Sequence, residues 1–360
     1  MANRAVIVGT SFGGRVHVPA LREAGFEIVG LVGRDAARTA ERAARFGVPG
    51  HGTSITDVVA ETGADVVTVS TPPAAHHESV LEALSTGRHV LAEKPFAVTA
   101  AEAESMVAAA NAAGVVAMVS FEFRWHPAEA LIARAIARGD IGEPRLVTFV
   151  SHSGLVAGGL PDAFNDEWWG DAAAGGGILN AAGVHVIDRL HTWLGPIVSV
   201  SGDTRSVTDL GGGAEDTYAA LMRTADGVAI TAQHCSAAAG PGTAVCKVIG
   251  TEGSVWLADG QAHRAGRGEP ETMEVPADLM PPVAPAHDTD DPKHAFTAFE
   301  LPLFIRLAER LRDEIEGHPI PDDMPDTPTF ADGLASQRVI DGIRTSSNDG
   351  GSWTQLGGAS

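Results

Sequence analysis

Lys94 stands between Glu93 and Pro95 at the end of the apolar run His89-Val90-Leu91-Ala92. That run reads as a buried strand, and in an open parallel sheet ligands bind beyond the carboxyl ends of the strands. A lysine delivered there can hydrogen-bond a substrate oxygen and steady the charge that develops on it. The Lys-Pro bond restricts the lysine backbone to extended conformations and raises the share of cis peptide. A second chemical signal lies earlier. Val6-Ile7-Val8 leads into Gly9-Thr10-Ser11-Phe12-Gly13-Gly14, which matches G-x-G-x-x-G with Ser11 in the middle glycine's place. Gly9 would permit the tight turn and Gly14 close packing of helix on strand, with a pyrophosphate on the positive end of the helix. Ser11 adds a Cβ, and its hydroxyl can donate to a phosphate oxygen. Between a first strand and a first helix, the pattern points to a dinucleotide.

The end of the second strand is where such a site reads the adenosine ribose. Here it carries Gly33-Arg34-Asp35, nineteen positions past Gly14. An acidic residue would bond a 2′-hydroxyl, whereas an arginine accommodates a 2′-phosphate. Gly33 removes the carboxylate, and Arg34 supplies a guanidinium suited to bidentate phosphate contact, with Arg38 one helical turn on. NADP(H) is therefore favoured, with NAD(H) as the alternative; a solvated arginine at a helix start is the plainer reading of Arg34.

The elements that must position these residues alternate. The apolar runs Ala5–Val8, Glu27–Val32, Asp65–Ser70, His89–Ala92 and Val115–Val119 are separated by the helix-like segments Arg15–Glu23, Asp35–Phe46, Ile55–Glu61, Ala75–Thr86 and Thr99–Ala113. Continuously apolar strands, each followed by a helix, predict an α/β domain with a doubly wound parallel sheet. Beyond about residue 140, Arg145–Val150, Ile197–Val207, Thr217–Arg223, Gly227–Gln233, Ala244–Ile249 and Ser254–Ala258 predict an antiparallel or mixed sheet, interrupted by one helical segment, Gly177–Leu194. Pro276–Pro292 reads as an irregular loop, and helices resume at Ala295–Glu316 and Phe330–Ser346. The expected division is residues 1–122 as the dinucleotide-binding domain, 123–347 as an α+β substrate and oligomerisation domain, and 348–360 as a flexible tail.

With 360 residues the chain is long enough for two cores. Its net charge of −21 opposes nucleic-acid binding. No stretch is apolar for the length a bilayer span needs, and the first strand begins too early to leave room for a signal peptide. Two cysteines, Cys235 and Cys246, make no disulfide framework, so a cytoplasmic location is the simpler expectation. Of the histidines only His76-His77 and His185…His191 are close in sequence, without nearby cysteine, so no metal site is expected. Neither a G-x-S-x-G elbow nor a Cys/His pair suggests an activated nucleophile.

Four motifs in register carry a resemblance: Gly9-x-Ser11-x-x-Gly14-x-x-His17, Ser70-Thr71-Pro72-Pro73-x-x-His76, Glu93-Lys94-Pro95, and Gly175-Gly176-Gly177…Gly183-Val184-His185-x-x-Asp188. They resemble the glucose-fructose oxidoreductase and inositol dehydrogenase (Gfo/Idh/MocA) family. The resemblance implies a Rossmann-type domain joined to an α+β domain with a large, open, mostly antiparallel sheet. It implies NAD(P)(H)-dependent hydride transfer at a hydroxyl or carbonyl of a sugar-like, polyol or cyclic small molecule, and homodimers or homotetramers paired through that sheet. Carried over, Thr71, Pro72 and His76 would line the nicotinamide half of the cofactor site, Ser70 would also bind the cofactor, and Glu93 would help hold it. Lys94, before a cis proline, would be the central catalytic residue, with His185 facing substrate and assisting proton transfer.

The departures matter as much. The family pattern D-x-G-x-H has Ala181 at its aspartate, beside Asn180, which on a helix points about 100° away. Near Trp168-Trp169 the family often has an arginine after the first tryptophan. The substrate site thus reads as less polar and more aromatic, with Arg124, Trp125, His152, Trp168, Trp169 and Asn180 as further lining residues. Two other functions compete: a non-catalytic dinucleotide-sensing regulator, which the missing aspartate favours, and an NAD-dependent glycosidase that oxidises its substrate transiently.

Overall fold

The computed structural model describes residues 2–161, 168–286, 294 and 296–357. Two units are distinguished, and each is built around its own sheet. In chain order the first contains β1 (Arg4–Val8), α1 (Val18–Glu23), β2 (Glu27–Val32), α2 (Ala36–Phe46), β3 (Gly50–Gly52), α3 (Ile55–Thr62), β4 (Val66–Val69), α4 (His76–Ser85), β5 (His89–Ala92), α5 (Ala100–Ala113) and β6 (Ala117–Val119). The six strands are parallel in the order β3-β2-β1-β4-β5-β6. This is the expected doubly wound sheet. Its central strands are closed on both faces: Ala5, Val6 and Ile7 of β1, and Val66, Val67 and Val69 of β4, are fully buried. Helix ends follow side-chain chemistry. Asp35, Ser54 and Thr99 accept from the N–H three residues on, and Gly47, Gly63 and Gly114 close α2, α3 and α5 in the left-handed conformation.

The second unit opens with α6 (Pro127–Ala137), then β7 (Pro144–His152), α7 (Val184–Leu194), β8 (Ile197–Arg205), β9 (Thr217–Thr224), β10 (Ala229–Cys235), β11 (Thr243–Gly250), β12 (Ser254–Ala258), β13 (Gln261–Ala265) and β14 (Glu271–Thr272). The chain returns to the first unit with α8 (Thr297–Glu316), continues through α9 (Phe330–Asn348) and ends on β15 (Thr354–Gln355). The nine-stranded sheet runs β14-β13-β12-β11-β7-β10-β9-β8-β15; β7 and β10 are parallel and the other pairs antiparallel. Along β9, Tyr218, Ala220 and Met222 are buried while Ala219, Leu221 and Arg223 are exposed, so one face is covered and the other open.

Several sequence expectations need correction. The helix after the phosphate loop opens as a π turn, Gly13–His17, and the helical segment expected from Gly177 likewise opens as a π turn, Leu179–Gly183. The tail is not free of structure: Thr354–Gln355 pairs with Val200 and Ser199 of β8. The second sheet gains β13, β14 and β15 beyond the expected strands, and α6 precedes it. The first unit is not a continuous segment. It comprises Met1–Glu122, Pro281–Pro321 and Thr327–Leu334. Within it α8 packs on α1 and the π turn, with the Phe304 ring centroid 5.6 Å from that of Phe12 and 5.3 Å from that of His17. Of the proline-rich loop, Ala277–Leu279 forms a 3-10 turn and residues 287–292 lie outside the described residues.

Candidate active site

The expected site residues divide between the units: the cofactor residues and Lys94 belong to the first, and Arg124, Trp125, His152, Trp168, Trp169, Asn180 and His185 to the second. In the first, β1 ends on Gly9 at φ +101°, a left-handed position that side chains resist. A Cβ there would lie 2.4 Å from the Ser70 carbonyl oxygen. Ser70 Oγ donates to Val8 O at 2.9 Å, tying the ends of β4 and β1 together. Gly14 serves a different contact from the helix-on-strand packing expected of it, since a Cβ there would run 2.1 Å from the Phe46 ring at the end of α2. Phe12 turns its ring to His17 and Phe304. Ser11 is half-exposed, with Arg15 Nη1 3.5 Å from its hydroxyl.

At the ribose position Gly33 is again required by crowding, its Cβ direction being filled by Thr39 Oγ1 and Thr10 Cγ2. Asp35 is the helix cap, accepting from Arg38 N at 2.8 Å, so it is engaged with backbone. Arg34 and Arg38 are exposed and their guanidinium groups have no protein partner among the described residues. Sequence reading missed Arg42. It lies one turn beyond Arg38 on the same helix face and donates to Thr10 Oγ1 at 2.6 Å, bridging α2 to the phosphate loop. The i, i+4 spacing was the available signal.

At the end of β5, Glu93 and Lys94 leave the sheet before the cis Lys94–Pro95 bond. Glu93 is 6 % exposed, and its Oε1 is 2.9 Å from His17 Nε2. Burial alone would raise the Glu93 carboxyl; the His17 hydrogen bond, with the charges of His17 and Lys94, outweighs it and holds the group below the usual range. Lys94 N donates to Glu93 Oε2 at 3.1 Å, so the same carboxylate fixes the backbone that carries the half-buried lysine. His17 was part of the quoted motif but not expected in the site; its contact with Glu93 places it there. His76 is fully buried, with Nδ1 2.8 Å from Pro95 O and Nε2 2.6 Å from Thr71 O. Burial lowers its pKa more than the carbonyl contacts raise it, and the neutral ring donates to only one of the two oxygens. It braces the turns bearing Thr71 and Pro95. Pro72 is exposed, and Thr71 Oγ1 is buried without a partner among the described residues.

In the second unit Arg124 forms a buried, bidentate pair with Asp188: Nε to Oδ2 at 2.9 Å and Nη2 to Oδ1 at 2.5 Å. The guanidinium thus anchors α7 instead of standing as a separate pocket cation. Trp125 is 5 % exposed and belongs to the core. His152 ends β7; burial, and secondarily its charge, bring His234 down to about 4. Trp168 and Trp169 lie half-buried with ring centroids 5.2 Å apart. Asn180 is fully buried within the π turn, donating from Nδ2 to Gly175 O at 2.9 Å, while its Oδ1 has no partner among the described residues. His185 follows in the first turn of α7, buried and stacked on Phe123 with centroids 4.1 Å apart. A π turn offsets a helical face relative to regular spacing, so the angular argument for Asn180 does not apply. Ala181 is 5 % exposed, and no carboxylate stands in its place.

The sequence profile of an "Oxidoreductase family, NAD-binding Rossmann fold" matches residues 3–121, and that of the "GFO/IDH/MocA C-terminal domain" matches residues 130–256. The chain belongs to the Gfo/Idh/MocA oxidoreductase family. Among relatives, it is 35 % identical over 189 residues to the 1,5-anhydro-D-fructose reductase of Ensifer adhaerens, covering 52 % of this chain and 55 % of that one. It is 30 % identical over 228 residues to the D-apiose dehydrogenase of Paraburkholderia graminis, covering 62 % and 58 %. The chain thus matches little more than half the length of these relatives. Among solved structures, levoglucosan dehydrogenase in complex with NADH and levoglucosan superposes with a TM-score of 0.82 at 21 % identity, covering 99 % of this chain and 100 % of that one. A dinucleotide fits the Gfo/Idh/MocA residues seen here: Thr71 Oγ1 is a buried hydroxyl without a partner among the described residues, and Arg34 and Arg38 hold exposed cations between β2 and the first turn of α2.

Proposed function

We propose that this Gfo/Idh/MocA protein is an NADP(H)-dependent oxidoreductase that interconverts a hydroxyl and a carbonyl on a sugar-like, polyol or cyclic substrate. The observation that carries the reading is the Glu93–Lys94 pair on the sheet edge that also holds the phosphate loop, with Glu93 kept ionised by His17. NADP(H), when bound, supplies or accepts the hydride. Ser11, Gly13, Arg34, Arg38, Arg42 and Thr71 would hold it. Lys94 holds the reacting oxygen and moves its proton, and His185 is the second candidate for assisting proton transfer. The relatives named for 1,5-anhydro-D-fructose and D-apiose chemistry support a sugar-like substrate. The absorbance of reduced nicotinamide, followed across a panel of sugars, polyols and cyclic ketones, tests the reading. Ala181 favours a second one, a dinucleotide-binding regulator: a chain that binds NADP(H) tightly and turns over nothing on that panel would be one.

Arg34 and Arg38 support NADP(H) over NAD(H). Arg34→Ala is expected to lose about 1–3 kcal/mol of that preference, the scale of a charge-assisted contact. Titrating both cofactors against wild type and variant measures it, and equal dissociation constants in wild type would sink the preference.

The open face of the second sheet carries Leu146 and Ile249, cross-strand neighbours, together with Leu221, all at least 38 % exposed. We assign this face to pairing between copies of the chain. Light scattering is expected to give a dimer or tetramer, and Leu221→Arg to shift it towards monomer.

A further inference from the structure

β5 and β6 run side by side in register, Ala92 beside Val119, and Ser120 N donates to Ala92 O at 2.8 Å. The two strands therefore leave the sheet together, and Glu93-Lys94 emerges alongside Ser120-Phe121-Glu122. Glu122 is 1 % exposed at the head of a 3-10 turn. The charges facing it come from two elements: Glu93 and Lys94 past β5, and Glu300 in the first turn of α8; Glu300 in turn feels Arg15 from the phosphate-loop helix. Burial raises Glu122 well above the ordinary carboxylate value. The Lys94 cation opposes that rise, and the Glu93 and Glu300 charges add to it. Its neighbour Glu93 is driven the opposite way by His17. Two adjacent carboxyls pushed apart in this manner are what an acid and an ionised partner require.

We propose that Glu122 is a positioning residue of the reaction, a buried carboxylic acid that exchanges its proton with Lys94. The proposal rests on the oxidoreductase reading. In the reducing direction the Lys94 ammonium gives a proton to the substrate oxygen as hydride reaches the carbon, leaving an amine. The Glu122 acid then gives its proton to that amine, restoring the ammonium and leaving a carboxylate that water reprotonates before the next cycle. In the oxidising direction the Glu122 carboxylate first takes a proton from the ammonium, and the freed amine takes the hydroxyl proton.

The first test needs no substrate. Infrared difference spectra of the full-length protein at neutral pH are expected to contain the carbonyl band of a protonated carboxyl that is missing in E122Q. In Lys94→Met this group should lose its proton at higher pH, because the cation that drew it down is gone. No such band, or a titration unmoved by Lys94→Met, overturns the proposal. Stability gives the same information. The folded chain holds the Glu122 proton above the ordinary value of 4.5 where the unfolded chain does not, so wild type loses stability as pH rises through that window. E122Q should not, and should gain on wild type in melting temperature as pH rises.

With an active substrate, E122Q is expected to lower kcat roughly 10- to 100-fold, as loss of an outer partner of a reacting group does. The cofactor dissociation constant should stay unchanged. One limb of the kcat–pH profile should disappear in E122Q and be kept in Glu122→Asp. A kcat loss equal at every pH and not rescued by aspartate would make Glu122 a structural residue. If wild type turned over nothing, the oxidoreductase reading would fail, while the infrared titration would still decide whether Glu122 is an acid coupled to Lys94.

Discussion

Lys94→Ala is expected to cut turnover by on the order of 10²-fold or more while leaving the NADP(H) dissociation constant within a factor of about three. The separation follows from how the residue is held. Its backbone N–H, which the substitution keeps, supplies the contact to Glu93 Oε2, and the Glu93–His17 bond involves no lysine atom. Alanine therefore removes the ammonium and spares the clamp. The half-buried side chain also leaves little packing to lose. Removing the cation has a second effect, because Lys94 draws down the pKa of both Glu93 and Glu122. Residual activity should accordingly follow a displaced pH profile, with both carboxyls holding their protons to higher pH than in wild type. Steady-state kinetics across pH, beside cofactor titration of the same preparation, checks both halves. Turnover near the wild-type rate would make Lys94 a structural residue.

Gly9→Ala should be the most damaging single methyl in the phosphate loop. At φ +101° a non-glycine residue costs on the order of 1–3 kcal/mol, and the new Cβ would press on the Ser70 carbonyl, which cannot rotate aside. Moving Ser70 in turn disturbs its hydroxyl bond to Val8 O. We expect NADP(H) affinity to fall roughly 10- to 100-fold, and the melting temperature to fall by about 2–4 °C for each kcal/mol lost. Gly14→Ala is the comparison. Its clash is with the Phe46 ring, a side chain at the end of α2, and trimming that ring with Phe46→Leu should recover most of the loss. Affinity unchanged in Gly9→Ala would mean that the loop does not carry the pyrophosphate.

How far these groups could be read from sequence depends on whether neighbours in the chain determine them. The strands β1, β2, β4 and β5 were legible because a sheet covered on both faces needs unbroken apolar runs. β3 was not: Gly50-His51-Gly52 has no strand pattern, and its register is set by Gly30, Leu31 and Val32 of β2. β15 likewise exists through its pairing with β8, some 150 residues away. Lys94 announced itself by a local motif. Glu122 did not, since nothing in Phe121-Glu122-Phe123 tells a buried carboxyl from a solvated one; its environment is made by β5 and by α8, distant in sequence. The same holds for Arg124, whose partner Asp188 lies 64 residues on.

The helix that finishes the Rossmann unit arrives late. Phe12 and His17, at the phosphate loop, and the exposed side of α1 are closed by Phe304 and the rest of α8. Between Glu122 and Thr297 a ribosome adds roughly 175 residues, about 9–35 s of synthesis at 5–20 residues per second. Throughout that interval the nascent six-stranded sheet presents an uncovered apolar flank beside its nucleotide loop. Any fragment ending near residue 122 inherits the same flank permanently. Such a fragment should be sticky and bind nucleotide poorly, and adding α8 in trans as a peptide should restore both properties together. The nucleotide loop is thus fully walled only once α8 has been made, long after the sheet that carries it.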